Sequence, residues 1–80
     1  MNIEVKLLTQ FKQYLPNPGL PGNSRTLSIK ENVSIQDVLT ELGMPIDTPK
    51  VVMLNDRHGT LQDALKEGDR VTVFPPVGGG

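Results

Sequence analysis

The last ten residues, Val71 to Gly80 (VTVFPPVGGG), hold no charged side chain, in a chain where 21% of residues are charged. The one ionisable group of that run is the carboxylate of Gly80. With a pKa of about 3.5 it is ionised at neutral pH, and a carboxylate is a poor electrophile. Chemistry on it needs activation, for example as an acyl-adenylate. A partner would have to bind the nucleotide and supply the metal and cationic groups that stabilise charge on phosphate. The run follows a strand-like segment directly, begins with the stiff pair Pro75-Pro76 and stays neutral throughout. Prolines hold such an exit extended, and Gly78, Gly79 and Gly80 carry no β-carbon. If polyproline-like, Pro75 to Gly80 spans roughly 15–20 Å. A thin rod of Pro75, Pro76, Val77 and three glycines suits the threading of a narrow channel in another protein.

The rest of the chain offers little chemistry. His58 is the only histidine and there is no cysteine, so nothing has metal-ligand spacing. No base stands ready to activate a serine or threonine. Asp37 and Glu41 read as the solvated side of a helix, and Lys66, Glu67, Asp69 and Arg70 as turn charges. The final glycines are no phosphate loop, because no helix and no lysine follow them. The chain is expected to have no active site of its own, and to bind no metal or cofactor.

Eight Lys and Arg against nine Asp and Glu give a net charge of −1. That balance argues against a nucleic-acid partner, which needs a basic patch. The longest apolar run, Val51 to Leu54, is far too short for a membrane span. The start, MNIEVKLL, carries charges within its apolar stretch and no small-residue cleavage site, so it does not read as a signal peptide. A cytoplasmic protein is expected. Eighty residues make one small domain of modest stability.

Positioning falls to a few elements. Ile3, Val5 and Leu7 alternate with Glu4, Lys6 and Leu8, which predicts a half-buried strand. LPNPGLPGNS, residues 15–24, holds three prolines and two glycines and must be a loop. RTLSIKE alternates again, with Leu27 and Ile29 inward, so the two strands are expected to pair antiparallel. In SIQDVLTELGMP, Ile35, Val38, Leu39 and Leu42 recur at helical spacing. Ser34 and Asp37 imitate a capping box, Gly43 suits a left-handed C′ position and Pro45 forbids continuation. KVVMLN predicts a strand buried on both faces, and NDRHG a turn bearing an exposed His58. TLQDALKEGD predicts one helical turn or a short 3₁₀ piece, with Leu61, Ala64 and Leu65 on one face. RVTVF closes the order, with Val71 and Val73 inward. The helix must then cover one face of a mixed sheet of four to five strands, a two-layer α+β domain over residues 1–74. Residues 75–80 are expected to form a flexible tail.

Two residues break the pattern. Period-two counting puts Phe74 on the polar side with Thr72, and Leu8 with Glu4 and Lys6. Scattered exposed apolar groups are common, but two of them on a small wet face, one adjoining the tail, predict a docking patch.

These segments together resemble the ubiquitin-like sulfur carriers of the MoaD/ThiS family. The resemblance spans almost the whole chain: VKLL in the first strand, SIQDVLTELG in the helix and LKEGDRVTVFPPVGGG at the end. Its FPPV element is similar to the small subunit of molybdopterin synthase more than to the thiamin-pathway carrier. The resemblance implies a β-grasp fold. It implies adenylation of the terminal glycine by an E1-like activating enzyme that uses ATP and Mg, then conversion by a sulfur donor to a thiocarboxylate. Gly80 would bear the sulfur, with Gly79 completing the family's glycine pair. Phe74 matches a position used against both the activating enzyme and the large synthase subunit. Leu8 matches a first-strand aromatic of that interface, usually Phe, and His58 a further, usually apolar, position. The loop at 15–24 is longer than in the best-known members, and the third glycine is extra. The implied role is a carrier in molybdenum or tungsten cofactor synthesis. The alternatives are thiamin thiazole synthesis (with thiazole synthase as partner) or another sulfur route. From a different class come a binding module with an inert tail and a protein modifier.

Overall fold

Ser34 starts α1 (Ile35–Glu41), the one α-helix among the described residues, through a full capping box. Its hydroxyl accepts the Asp37 N–H at 3.1 Å, and the Asp37 carboxylate accepts the Ser34 N–H at 2.9 Å. The helix stops at Gly43, whose φ of +92° is a left-handed conformation that only glycine adopts cheaply. There the Met44 N–H reaches the Leu39 carbonyl (3.0 Å) and the Gly43 N–H the Thr40 carbonyl (2.9 Å), a Schellman closure. Met44 is buried by it. Ile35, Val38 and Leu39 face the core and Leu42 sits half-buried at its margin, as the spacing predicts.

The computed structural model describes residues 1–77; Gly78, Gly79 and Gly80 lie outside the described residues. The strands are β1 (Asn2–Leu7), β2 (Ser24–Ser28), β3 (Val51–Leu54), β4 (Arg57–His58) and β5 (Arg70–Phe74). They form a mixed sheet in the order β2-β1-β5-β3-β4. β1 pairs antiparallel with β2, Ile3 opposite Leu27, and parallel with β5, Val5 opposite Val71. β5 pairs antiparallel with β3, Val52 opposite Val73. Ile3, Val5, Leu7, Val71, Val73 and Val52 therefore share one face, and they are buried with the apolar stripe of α1 in one core. This is the expected two-layer α+β arrangement.

Three local expectations change, and one segment without a periodic signal takes a form of its own. Residues 9–14, which lack any clear period, form a 3₁₀ helix (Thr9–Tyr14) that drives Phe11 into the core, with Leu15 buried just after it. β3 is not buried on both faces: Val52 is covered, whereas Val51 and Met53 are half-buried because no described element lies over the sheet's second face, and Leu54 is half-buried at the margin of the core. NDRHG is more than a turn. Asn55 and Asp56 both take positive φ (+52° and +67°) and bring Arg57 back opposite Leu54, so a two-residue hairpin creates β4. TLQDALKEGD closes two separate hydrogen-bonded turns, Asp63 N–H to the Thr60 carbonyl and Asp69 N–H to the Lys66 carbonyl (both 3.1 Å), and forms no helix. Instead the Asp63 and Leu61 carbonyls accept the Ile35 and Gln36 N–H groups (3.0 and 2.8 Å). The segment thus satisfies two donors that the start of a helix leaves orphaned. Leu65 is buried, but Ala64 is exposed.

The proline-glycine loop has its own fastener. The Arg25 guanidinium donates to the main-chain carbonyls of Pro16, Asn17, Leu20, Pro21 and Ser24, at 2.8 to 3.4 Å. Arginine's five fixed donors match such a ring of carbonyls.

Candidate functional site: the open face beside the tail

Strand pairing assembles the second face of the sheet from rows of side chains. One row runs Ser24, Lys6, Thr72, Met53 and His58, each opposite the next in register. The row nearer the tail begins with Val51 opposite Phe74. Leu8 completes it. Its backbone is still extended (φ −105°, ψ 157°) and its N–H donates to the Val73 carbonyl at 3.0 Å, so β1's alternation continues one residue past the strand. Leu7 lies opposite Val73, which places Leu8 next to Phe74. Thr9, at φ +55°, then turns the chain away. A β-branched residue rarely takes that conformation.

Leu8, Phe74 and Val51 are all half-buried, neither sealed in the core nor scattered. The structure therefore brings together the two residues that break the sequence pattern. Val51 is a third member that the sequence reading misses, because it assigns KVVMLN to a fully covered strand. His58 shares the face but stands one row away, exposed, on the outermost strand. Pro75 is half-buried where the chain leaves this corner, Pro76 is exposed, and Val77 is 91% exposed. The tail thus departs from the apolar row directly. Gly78, Gly79 and Gly80, the residues expected to end the rod and carry the reactive carboxylate, lie outside the described residues.

Electrostatics on the same face is settled internally at the end far from the tail. The Ser24 hydroxyl donates to Glu4 Oε2 at 2.6 Å, and Arg70 Nε donates to Glu4 Oε1 at 3.0 Å. Asp56 stands 3.7 Å from Arg70. The Ser24 hydrogen bond first, and Arg70 second, hold the Glu4 carboxyl below the usual glutamate range. A carboxylate so stabilised is a weak base, so Ser24 with Glu4 is no activated nucleophile. Lys6, between this cluster and the apolar row, has no ion-pair partner among the described residues. Also among the described residues, no group of three or more His, Cys, Asp or Glu is placed to hold a metal ion, and no helix is long and apolar enough to cross a membrane. The arrangement leaves a half-buried apolar row open to solvent beside the root of the tail.

Comparison with known proteins places this geometry. No curated protein sequence matches the chain significantly. Among solved structures, the HVO 2177 protein of Haloferax volcanii is 27% identical, with a TM-score of 0.77 over 100% of this chain and 87% of that one. SAMP1 of Haloferax volcanii is 21% identical (TM-score 0.72, all of both chains). A chain from the complex of subunits 1 and 2 of molybdopterin-converting factor from Helicobacter pylori is 23% identical (TM-score 0.62, all of both chains). The last two likenesses concern the fold, a ubiquitin-like β-grasp. The ThiS family pattern matches residues 6–80, from within β1 through the last glycine. The chain belongs to the ThiS family, among the ubiquitin-like carriers of the MoaD/ThiS group.

Proposed function

We propose that the chain is a sulfur carrier whose Gly80 is adenylated and then thiocarboxylated, and that it gives its sulfur to molybdopterin synthesis. In the first step a Gly80 carboxylate oxygen attacks the α-phosphorus of ATP and pyrophosphate leaves. In the second, a sulfide-level donor attacks the acyl carbon and AMP leaves, which puts sulfur where one oxygen was. ATP, Mg and the donor act on the partner enzyme, an E1-like adenylating protein. The carrier supplies only a docking face and a deliverable carboxylate.

The observation that carries this reading is the half-buried row Leu8–Phe74–Val51 at the root of the tail. An apolar anchor there fixes the origin of the rod, so its tip arrives at a set depth in the partner. The FPPV element and the Helicobacter pylori complex of subunits 1 and 2 support a large synthase subunit as the second partner. A cytoplasmic location accords with this role.

The test is ATP–pyrophosphate exchange with each E1-like enzyme from the same genome. Exchange that depends on Gly80 supports the reading, and none with any of them leaves a binding module. The fold shared with SAMP1, whose structure is also described as that of a small archaeal modifier protein, favours one second reading, conjugation to lysines. Covalent adducts on other proteins after incubation with ATP and cell extract would identify it.

A further inference from the structure

β2 is an outer strand of the sheet, and among the described residues no strand pairs with its far edge. Met1 and Ile29 exchange both main-chain hydrogen bonds at 2.7 Å, and the Leu7 N–H donates to the Asn23 carbonyl at 2.9 Å. Antiparallel pairing alternates by two, so Ile29, Leu27, Arg25 and Asn23 point their polar backbone groups at β1. Ser24, Thr26 and Ser28 point theirs outward. The Ser24 carbonyl is taken by Arg25 at 2.8 Å. Among the described residues, the N–H and C=O groups of Thr26 and Ser28 remain as an unused ladder.

At the Ser28 end of that ladder, on the side opposite the Leu8–Phe74 row, lies a groove between β2 and α1. Ile29 and Val33 floor it, Val38 closes it, and Lys30, Asp37 and Glu41 form its rim. Ile29 and Val33 are half-buried, which leaves apolar surface for a visitor. Asp37 and Glu41 are four residues apart on one helical wall, and both are exposed. Neither makes an ion pair among the described residues.

We propose that this groove takes an extended segment of a partner protein, added as a sixth strand beside β2, apolar at alternate positions and basic at its ends. The open ladder calls for a strand, because only an extended backbone can meet the Thr26 and Ser28 groups in register. The helical wall selects charge: arginine or lysine of the segment answers Asp37 and Glu41, whereas an acidic segment is repelled. A second copy of this chain is disfavoured, since antiparallel β2–β2 pairing would set Asp37 and Glu41 against their own equivalents. The groove and the tail's root are on opposite faces, so both can be engaged at once.

The probe is the capped peptide Arg-Thr-Val-Thr-Val-Thr-Arg, whose arginines and valines share one face when extended, added to the whole ¹⁵N-labelled chain. Titration should shift the amides of Thr26 and Ser28 and those around Val33 and Val38. The peptide with Glu in place of both Arg should bind roughly tenfold more weakly, and Glu41→Lys should weaken the basic peptide by a similar factor. Thr26→Pro removes an N–H that faces solvent, which an edge strand tolerates, and should abolish binding with the fold retained. A basic peptide N-methylated at alternate amides tests the same ladder without altering the protein. No shift at millimolar peptide, shifts confined to the Leu8–Phe74 face, equal binding of the Glu peptide, or self-association at the β2 edge without peptide would each overturn the proposal. None of these measurements involves Gly80 or an activating enzyme, so their outcome is separate from the carrier reading.

Discussion

The two faces of the sheet are built from the same strands, residue by residue, yet they are buried very differently. On the face under α1, Ile3, Val5, Leu7, Val71 and Val73 are at most 1% exposed and interlock with Ile35, Val38 and Leu39. On the open face the intervening residues are Glu4, Lys6, Leu8, Thr72 and Phe74, and the apolar ones stop at half-burial. A one-residue step along a strand separates a side chain that holds the fold from one that is free to serve a partner. Stability and recognition can therefore vary independently in a chain of 80 residues, and that separation is open to attack by mutation.

The largest effect is expected at the covered face. Leu7→Ala removes a fully buried side chain from the core, and should cost about 2–5 kcal/mol in a urea melt. For a domain this small, such a loss approaches the whole of its stability. One residue along, Leu8→Ala should leave the melt almost unchanged. A loss at Leu8 equal to that at Leu7 would break the comparison.

Phe74→Ala should show the reverse imbalance. Binding to an activating enzyme or a large synthase subunit should weaken by roughly 2 kcal/mol, about thirtyfold, as for an interface anchor. Unfolding should shift by less than that. Isothermal titration beside a chemical melt reads both, and outright unfolding of Phe74→Ala would make Phe74 a core residue. His58→Ala, a row away and exposed, should weaken the same binding far less.

A smaller effect is expected at Arg25. Arg25→Ala frees five carbonyls that water can reach, so the net loss should be only about 1–2 kcal/mol. The sharper signature is local: faster amide exchange of Leu20, whose N–H donates to the Asn17 carbonyl at 2.9 Å. Unchanged exchange there would mean that the loop holds its shape without the clip.

The smallest effect is pH-dependent. Glu4 titrates below its ordinary range in the folded chain, so its contribution is complete above the unfolded glutamate value. It is lost as pH falls through the lower folded value. Wild type should exceed Glu4→Gln in stability at pH 7, and the gap should close across the acid range below the ordinary glutamate pKa. The side chain is 40% exposed, and solvent keeps the gap small. A gap that persists at the acid end would show that Glu4 acts through packing and not through its charge.

How much of this was legible in the sequence follows from the range of each interaction. The cap, the stripe and the stop of α1 lie within ten consecutive residues and could be read directly. The alternation of β1 and β5 is equally local, and it marks Leu8 and Phe74 as misfits from residue types alone. Val51 was hidden, because an apolar run such as VVML does not say whether its second face will be covered. The 3₁₀ helix carries only Phe11 into the core and so leaves no repeating signal. β4 depends on two positive-φ residues, Asn55 and Asp56, whose types are those of any turn. Arg25 acts on carbonyls up to nine residues away, and no pattern of side-chain types announces a main-chain partner. The segment 60–69 misled because its Thr60–Asp63 turn copies the start of a helix, while its carbonyls serve α1.

The central claim is that the working group is a free carboxylate on Gly80, brought into place by a bare rod rooted at Phe74. The most direct measurement is intact-protein mass after incubation with the activating enzyme, ATP and a sulfide source. It should be made on the wild-type chain and on a variant with one alanine added after Gly80. Wild type is expected to exchange one oxygen for sulfur. The extended chain should fold identically and gain nothing, because its carboxylate is displaced by about 3 Å and a β-carbon enters the channel. Displacements of ~1 Å already cost on the order of a hundredfold in rate. Normal thiocarboxylate formation in the extended variant, or none in wild type with its cognate enzyme, would contradict the account.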